Sequence, residues 1–152
     1  MNFRLIRRII ILSLIFVQVA NGVDLFSQTA DAILGEWFAP DKDGKFLFYK
    51  DKGKYYGKLI WIKETKDEQG NLKVDKKNPD PAKRNNPMVG TVIFSDFKWD
   101  SEELKWVDGK VYDARSGDTW SCEIRLPSNL VLEVRGYLVF SWLGKSAYFT
   151  RY

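Results

Sequence analysis

Histidine is absent from these 152 residues, and cysteine occurs once. Without an imidazole there is no Ser-His-Asp relay, no Cys-His pair and no His-bearing transition-metal site. With Cys122 as the only thiol there is neither an intramolecular disulfide nor a thiolate zinc cluster. No apolar run reaches the roughly 20 residues that a helix needs to cross a bilayer. Apolar spacing at three and four residues, the mark of an amphipathic helix, is not sustained anywhere. Asp41-Lys42-Asp43-Gly44 begins like a calcium loop, but the twelfth position from Asp41 is Lys52, where a bidentate Glu is required. No metal and no cofactor are expected from this residue set.

Excess charge is also scarce once the N-terminus is set aside. Arg4, Arg7 and Arg8 precede the apolar stretch Ile9 to Val17, the order of a secretory signal. Ala20-Asn21-Gly22 offers a cleavage site, so residues 1–22 read as a signal peptide, with the cut as late as residue 30. The protein is expected to be exported, periplasmic or secreted, with no integral membrane span after cleavage. Loss of three arginines leaves 21 of the 24 basic residues against 20 acidic ones. Such a balance predicts neither a nucleic-acid nor a membrane partner.

Aromatics make up 15% of the chain, and Gly and Pro punctuate short apolar runs, which favours strands. Residues 31–152 read as one all-β domain. Strands are expected at 34–39, 45–50, 54–63, 88–94, 97–99, 104–107, 110–113, 119–126, 130–137 and 145–152. Gly44, Gly53, Asp108-Gly109, Ser116-Gly117-Asp118 and Pro127-Ser128-Asn129 supply turn chemistry between most of them. In Thr119–Leu126 the alternation puts Cys122 on one face with Trp120, Ile124 and Leu126, as a small core residue rather than a reactive thiol. The exception to these short links is residues 64–87, polar, charged and Pro-rich, and loops of that length are uncommon unless functional or disordered. Sequential hairpins with minimal turns make an antiparallel up-and-down barrel more economical than a sandwich with Greek-key crossings.

Two features at the chain ends, Gly35-Glu36-Trp37 on the first strand and Arg151 on the last, resemble the lipocalin and calycin signature. The resemblance implies that Trp37 closes one end of the barrel with a basic side chain over its indole, a contact of roughly 0.5 to 2 kcal/mol. Four further motifs in order are Ile33-Leu34-Gly35-Glu36-Trp37, Tyr55-Tyr56-Gly57-Lys58-Leu59-Ile60-Trp61, Asn78-Pro79-Asp80-Pro81 with Arg84, and Val134-Arg135-Gly136-Tyr137. Together they resemble the bacterial exported family catalogued as domain of unknown function 2147. That resemblance implies a lipocalin-like barrel and brings no established activity. Members often carry a cysteine in the hairpin before the Tyr-x-Gly-Lys motif, able to pair with one at the position of Cys122. Here residues 51–56 contain none.

The candidate binding and loop residues are Trp61, Asn78, Asp80, Arg84, Tyr112, Asp113, Arg135 and Tyr137. Asp80 and Asp113 are the acids to watch for carboxylate-based hydrolysis, against a plainer role as turn caps. Leu130, Leu132 and Val134 mark one face of their strand, which puts Arg135 on the other. There it is open to pairing with Glu133 or Asp80, or to reading an anion. Trp61, Trp99, Trp106, Trp142, Tyr55, Tyr56 and Tyr112 give more aromatic surface than a small core needs. They either line a site for a small, largely apolar ligand or fill the barrel solid. Three functions therefore stay open: a binding module with residues 64–87 as a lid, an envelope interaction protein with a filled barrel, and a hydrolase. Interior volume separates the first two.

Overall fold

A computed structural model describes residues 28–137 and 145–152. The candidate export signal and Trp142 lie outside those residues. Eight antiparallel strands close into a barrel in simple sequential order: β1 (Gly35–Phe38), β2 (Gly44–Asp51), β3 (Lys54–Ile62), β4 (Val92–Asp100), β5 (Lys105–Asp113), β6 (Asp118–Ser128), β7 (Val131–Tyr137) and β8 (Lys145–Arg151). The last strand pairs back to the first, with Trp37 opposite Arg151. Closure leaves no exposed sheet edge, so a chain this rich in β-formers has no edge at which to pair with copies of itself.

The strand faces follow the period-two alternation, but bulges shift it in places where the sequence carries turn residues. The stretches expected as 97–99 and 88–94 belong to one strand, β4, whose interruption is Asp96 at φ 64°. That bulge turns both Phe94 and Phe97 inward. The stretches 104–107 and 110–113 likewise join as β5. Asp108-Gly109 is therefore a bulge, with Asp108 at φ 59°, and not a hairpin turn. Gly109 serves a different need from the one its sequence context suggests. A Cβ there would come within 2.2 Å of the Phe97 ring, so the glycine makes room for an aromatic lid on the strand. Gly57 does the same under Phe94 and Phe48.

Two turn assignments also move. Between β1 and β2 the positive φ falls on Lys42, at 54°, while Gly44 is already the buried first residue of β2. Strand β6 continues through Pro127 to Ser128, and a register shift between Arg125 and Ser128 absorbs the missing proline N–H. The turn itself is Asn129-Leu130. Leu130 is consequently 60% exposed and does not share the interior face of Leu132 and Val134. Lys52-Gly53, with both φ values positive, forms the tight hairpin turn that its sequence predicts.

All four β2–β3, β4–β5, β6–β7 and β8 ends reach one end of the barrel, and the residues before β1 plug it. A single 3-10 turn, Ala30–Ile33, lies across this end. It is pinned by two indoles: Trp37 Nε1 donates to Ile33 O at 2.8 Å and Trp106 Nε1 to Ala30 O at 3.0 Å. Lys50 and the Tyr55 hydroxyl both donate to the Asp31 carboxylate, at 2.8 and 2.6 Å. In that order they hold the Asp31 carboxyl below its usual range. Above the plug the lower barrel is packed solid by Ile33, Trp37, Phe48, Tyr55, Phe97, Trp106, Cys122, Ile124 and Leu132, all at most 2% exposed.

Candidate functional site

Closure at the plugged end is completed from the last strand. The Arg151 guanidinium lies 4.1 Å from the Trp37 ring centroid. Its three nitrogens donate to Leu34 O at 3.1 Å, Ala32 O at 2.6 Å and Asn129 O at 2.7 Å. Gly35 takes φ 112°, a backbone conformation that favours glycine, and it lies directly beside the guanidinium. Gly35, Trp37 and Arg151 thus meet at one point, and their chemistry is that of a structural cap: planar donors satisfying carbonyls of the 3-10 turn, of its C-cap Leu34 and of the turn between β6 and β7.

The opposite end is built differently. In the upper barrel the interior residues Phe46, Leu59, Ile93, Phe94, Val111, Trp120 and Phe149 leave a cavity of about 380 Å³. Phe46, Phe94 and Phe149 pack edge to face at 5.4 to 5.8 Å and form its floor and side. Met88, Ala114 and Arg115 border both this cavity and a wider vestibule of about 700 Å³ above it. The vestibule is lined by charge: Asp43, Lys63, Glu64, Asp67, Lys73 and Lys76. The barrel is neither filled nor hollow. It is solid below and open above, and the two volumes fall in the range of small-ligand sites, about 300–1,000 Å³.

The long connection is a folded strap. Two isolated bridges, Lys66 with Leu72 and Val74 with Pro87, and a 3-10 turn at Pro81–Lys83 give it internal structure. Its anchor is Asp75, 1% exposed and the one buried charged residue among those described. The Asp75 carboxylate accepts from the Tyr112 hydroxyl at 2.6 Å and from Asn78 Nδ2 at 2.7 Å. Burial, and then the hydrogen bond to that carboxylate, pushes the Tyr112 phenol up to about 12. A second contact lies at Gly117, φ 86°, where a Cβ would come within 2.4 Å of the Lys77 carbonyl. Asp75, Asn78, Asn86, Thr91 and Tyr112, with Pro79 and Val92, also line a hollow of about 350 Å³ between strap and wall.

The candidate residues thus divide into groups. Asn78, Asp80, Arg84 and Tyr112 come together in the strap and its anchor. Asp80 accepts from Ala82 N at 3.0 Å, and Arg84 Nε donates to Asn78 O at 2.8 Å, so the Asn-Pro-Asp-Pro motif folds the strap around Asp75. Asp113 accepts from Arg115 N at 3.0 Å at the cavity rim. Both acids are engaged in the geometry of turn caps. Trp61 is 42% exposed on the rim and does not line the cavity. Arg135 lies on the outer wall with Glu123, Arg125 and Glu133, directly opposite Glu123 in the ladder, and Tyr137 follows on the same strand. The Asp80 carboxylate, one of the partners left open for Arg135, is 3.5 Å from Lys83. Cys122 is fully buried, and its thiol is pushed up to about 12, chiefly by burial.

Asp75 and Met88 escape sequence reasoning. Asp75 is one acid among five in a charged stretch, with nothing local to mark it as the buried one. Met88 reads as the start of a strand, whereas β4 begins at Val92 and Met88 remains on the strap, its amide bonded to Lys73 O.

The model of the family described as "Uncharacterized protein conserved in bacteria (DUF2147)" matches residues 35–151. A search of curated proteins finds no match. Among solved structures, one described as "Protein HP1028 from the human pathogen Helicobacter pylori belongs to the lipocalin family" is similar, with a TM-score of 0.64 and 26% identity. The similarity covers 78% of this chain and 82% of that one.

Proposed function

From the premise that this chain belongs to the DUF2147 family of bacterial proteins, with a lipocalin-like barrel, we propose that it is an exported binding protein for a small, largely apolar ligand. One observation carries the reading: the barrel is packed in its lower half only, and the upper half keeps an aromatic-lined cavity beneath a charged vestibule. Leaving such surface unfilled forgoes burial worth roughly 25 cal/mol per Å². An apolar ligand in the cavity recovers it, and Trp120, Phe94 and Phe149 supply rigid walls at little entropic cost. The basic-then-apolar order of residues 4–17 supports export. Among the described residues no helix is long and apolar enough to cross a membrane.

Titration with the apolar probe N-phenyl-1-naphthylamine tests this. Saturable binding at one site, abolished by Val111→Trp, which fills the cavity, is the expected result. A linear, unsaturable signal, or saturation untouched by Val111→Trp, refutes the reading. Native mass spectrometry of freshly purified protein reports any ligand retained from the cell.

A further inference from the structure

The two volumes at the open end meet at a boundary of polarity. Phe46, Phe94, Trp120 and Phe149 make the lower one apolar, whereas Asp43, Lys63, Glu64, Lys73 and Lys76 line the upper one. Met88, Ala114 and Arg115 border both, so the two form one continuous site with an apolar floor and a charged mouth. A wholly apolar ligand that outgrew the cavity would lay its surface against charge. A wholly polar one would leave the phenylalanine walls in water. A molecule with one end of each kind satisfies both compartments.

The charges of the mouth narrow the class further. Lys63, Lys73, Lys76 and Arg115 stand against Asp43, Glu64, Asp67 and Asp113, a balance that favours neither a net anion nor a net cation. Most of them are engaged with one another: Lys73 with Glu64 at 3.5 Å, Lys76 with Asp67 at 3.6 Å and Arg115 with Asp113 at 3.3 Å. Asp43 and Lys63 are the exceptions, and among the described residues neither side chain is in an ion pair. Lys63 N donates to Asp43 O at 2.8 Å, which sets the two residues together where β2 begins and β3 ends. One carboxylate and one ammonium are thus left over at the same edge of the mouth.

We propose that the ligand is a zwitterionic amphiphile, with its chain in the cavity among Phe46, Phe94 and Phe149, its cationic group against Asp43 and its anionic group against Lys63. This assignment rests on the binding role proposed above and adds the headgroup class to it. Met88, unbranched and polarizable, covers the chain where it leaves the cavity. An exposed ion pair is worth up to about fivefold in affinity, so the pairs select among headgroups while the apolar walls supply most of the binding.

Isothermal titration calorimetry with decyl amphiphiles below their micelle concentrations tests the proposal. Decylphosphocholine and decyldimethylglycine carry zwitterionic heads, of the phospholipid and the amino-acid type, while decyl sulfate and decyltrimethylammonium carry a single charge. At least one zwitterion should bind about fivefold more tightly than either singly charged amphiphile, and the better of the two names the source of the head. In Lys63→Gln that advantage over decyltrimethylammonium should vanish, and in Asp43→Asn the advantage over decyl sulfate. N-phenyl-1-naphthylamine should bind both variants as it binds the native protein. Both side chains are exposed and the hydrogen bond between the residues is made by the backbone, so neither change disturbs the fold. No preference for a zwitterion, or a preference that neither variant alters, overturns the proposal and leaves apolar binding standing. Amphiphile binding untouched by Val111→Trp overturns it too, because the chain then lies outside the cavity. Absence of a naphthylamine site in the native protein refutes instead the binding role on which the headgroup class rests.

Discussion

Replacing Arg151 by Met keeps a long apolar stem across the Trp37 indole and removes only the planar donors. Three hydrogen bonds go with them, to Leu34, Ala32 and Asn129, together with the ring contact at 4.1 Å. Bonds from a charged donor are worth about 1.5–3 kcal/mol when desolvated, and here only the two to Leu34 and Ala32 are partly buried. Allowing about 1 kcal/mol for each of those, a few tenths for the exposed one and about 0.5–1 for the cation–π contact gives roughly 3 kcal/mol. In a domain of this size that lowers the thermal midpoint by roughly 10 °C. Differential scanning calorimetry reads the shift directly. Arg151→Lys should recover less than half of it, because a single ammonium cannot reach three carbonyls set around a plane. A fall of less than about 3 °C in the Met variant would refute the argument, since the carbonyls of the 3-10 turn would then be satisfied without the guanidinium.

Gly109→Ala places a methyl within 2.2 Å of the Phe97 ring, and overpacking of this kind should cost about 1–3 kcal/mol, measured by urea denaturation. In Asp75→Asn one oxygen still accepts from Tyr112, but the new amide nitrogen faces the Asn78 nitrogen, two donors with no acceptor between them. The strap should loosen, with faster proteolysis within residues 64–87 while the barrel keeps its thermal midpoint within a few degrees. The Tyr112 phenol is raised to about 12 from an ordinary value of 10.0, so the native state binds the proton more tightly than the unfolded chain. Its contribution is therefore complete below pH 10 and is lost as pH rises towards 12; a Tyr112→Phe variant should show a shallower alkaline loss of stability. Cys122, buried and raised in the same direction, should resist a thiol reagent at pH 8 until the protein unfolds.

The barrel was legible because its determinants are local. Period-two alternation and tight turns such as Lys52-Gly53 specify neighbours, and eight consecutive antiparallel strands leave closure as the one arrangement without edges. The bulges were not legible for the same reason. Asp96 and Asp108-Gly109 carry turn residues, and only the rings that Phe97 presses against Gly109 show that the chain continues straight through them. The strap motif could be read as a unit, Asn78 to Arg84, yet the residue it encloses could not. Asp75 becomes special only when β5 brings Tyr112 across 37 positions of sequence.

Charge shows the largest gap between total and distribution. Counted over the chain without its first residues, it comes almost to neutrality, and a sum of that kind predicts no membrane partner. Folding then pairs the charges locally. On the outer wall the ladder sets Glu123 against Arg135 and Arg125 against Glu133, so that face cancels within itself. At the strap, Glu64, Asp67 and Asp80 are each set against a lysine, which cancels one charge of each sign, and Asp75 alone is buried. The ion pairs are weak as sources of stability, about 0–1 kcal/mol each, and the charges that line the open end balance, Lys63, Lys73, Lys76 and Arg115 against Asp43, Glu64, Asp67 and Asp113. The sum over the chain therefore hides arrangement and not surplus: charges cancel pairwise on the wall and on the strap, and the one carboxylate taken out of water, Asp75, is the one that ties the strap to the barrel.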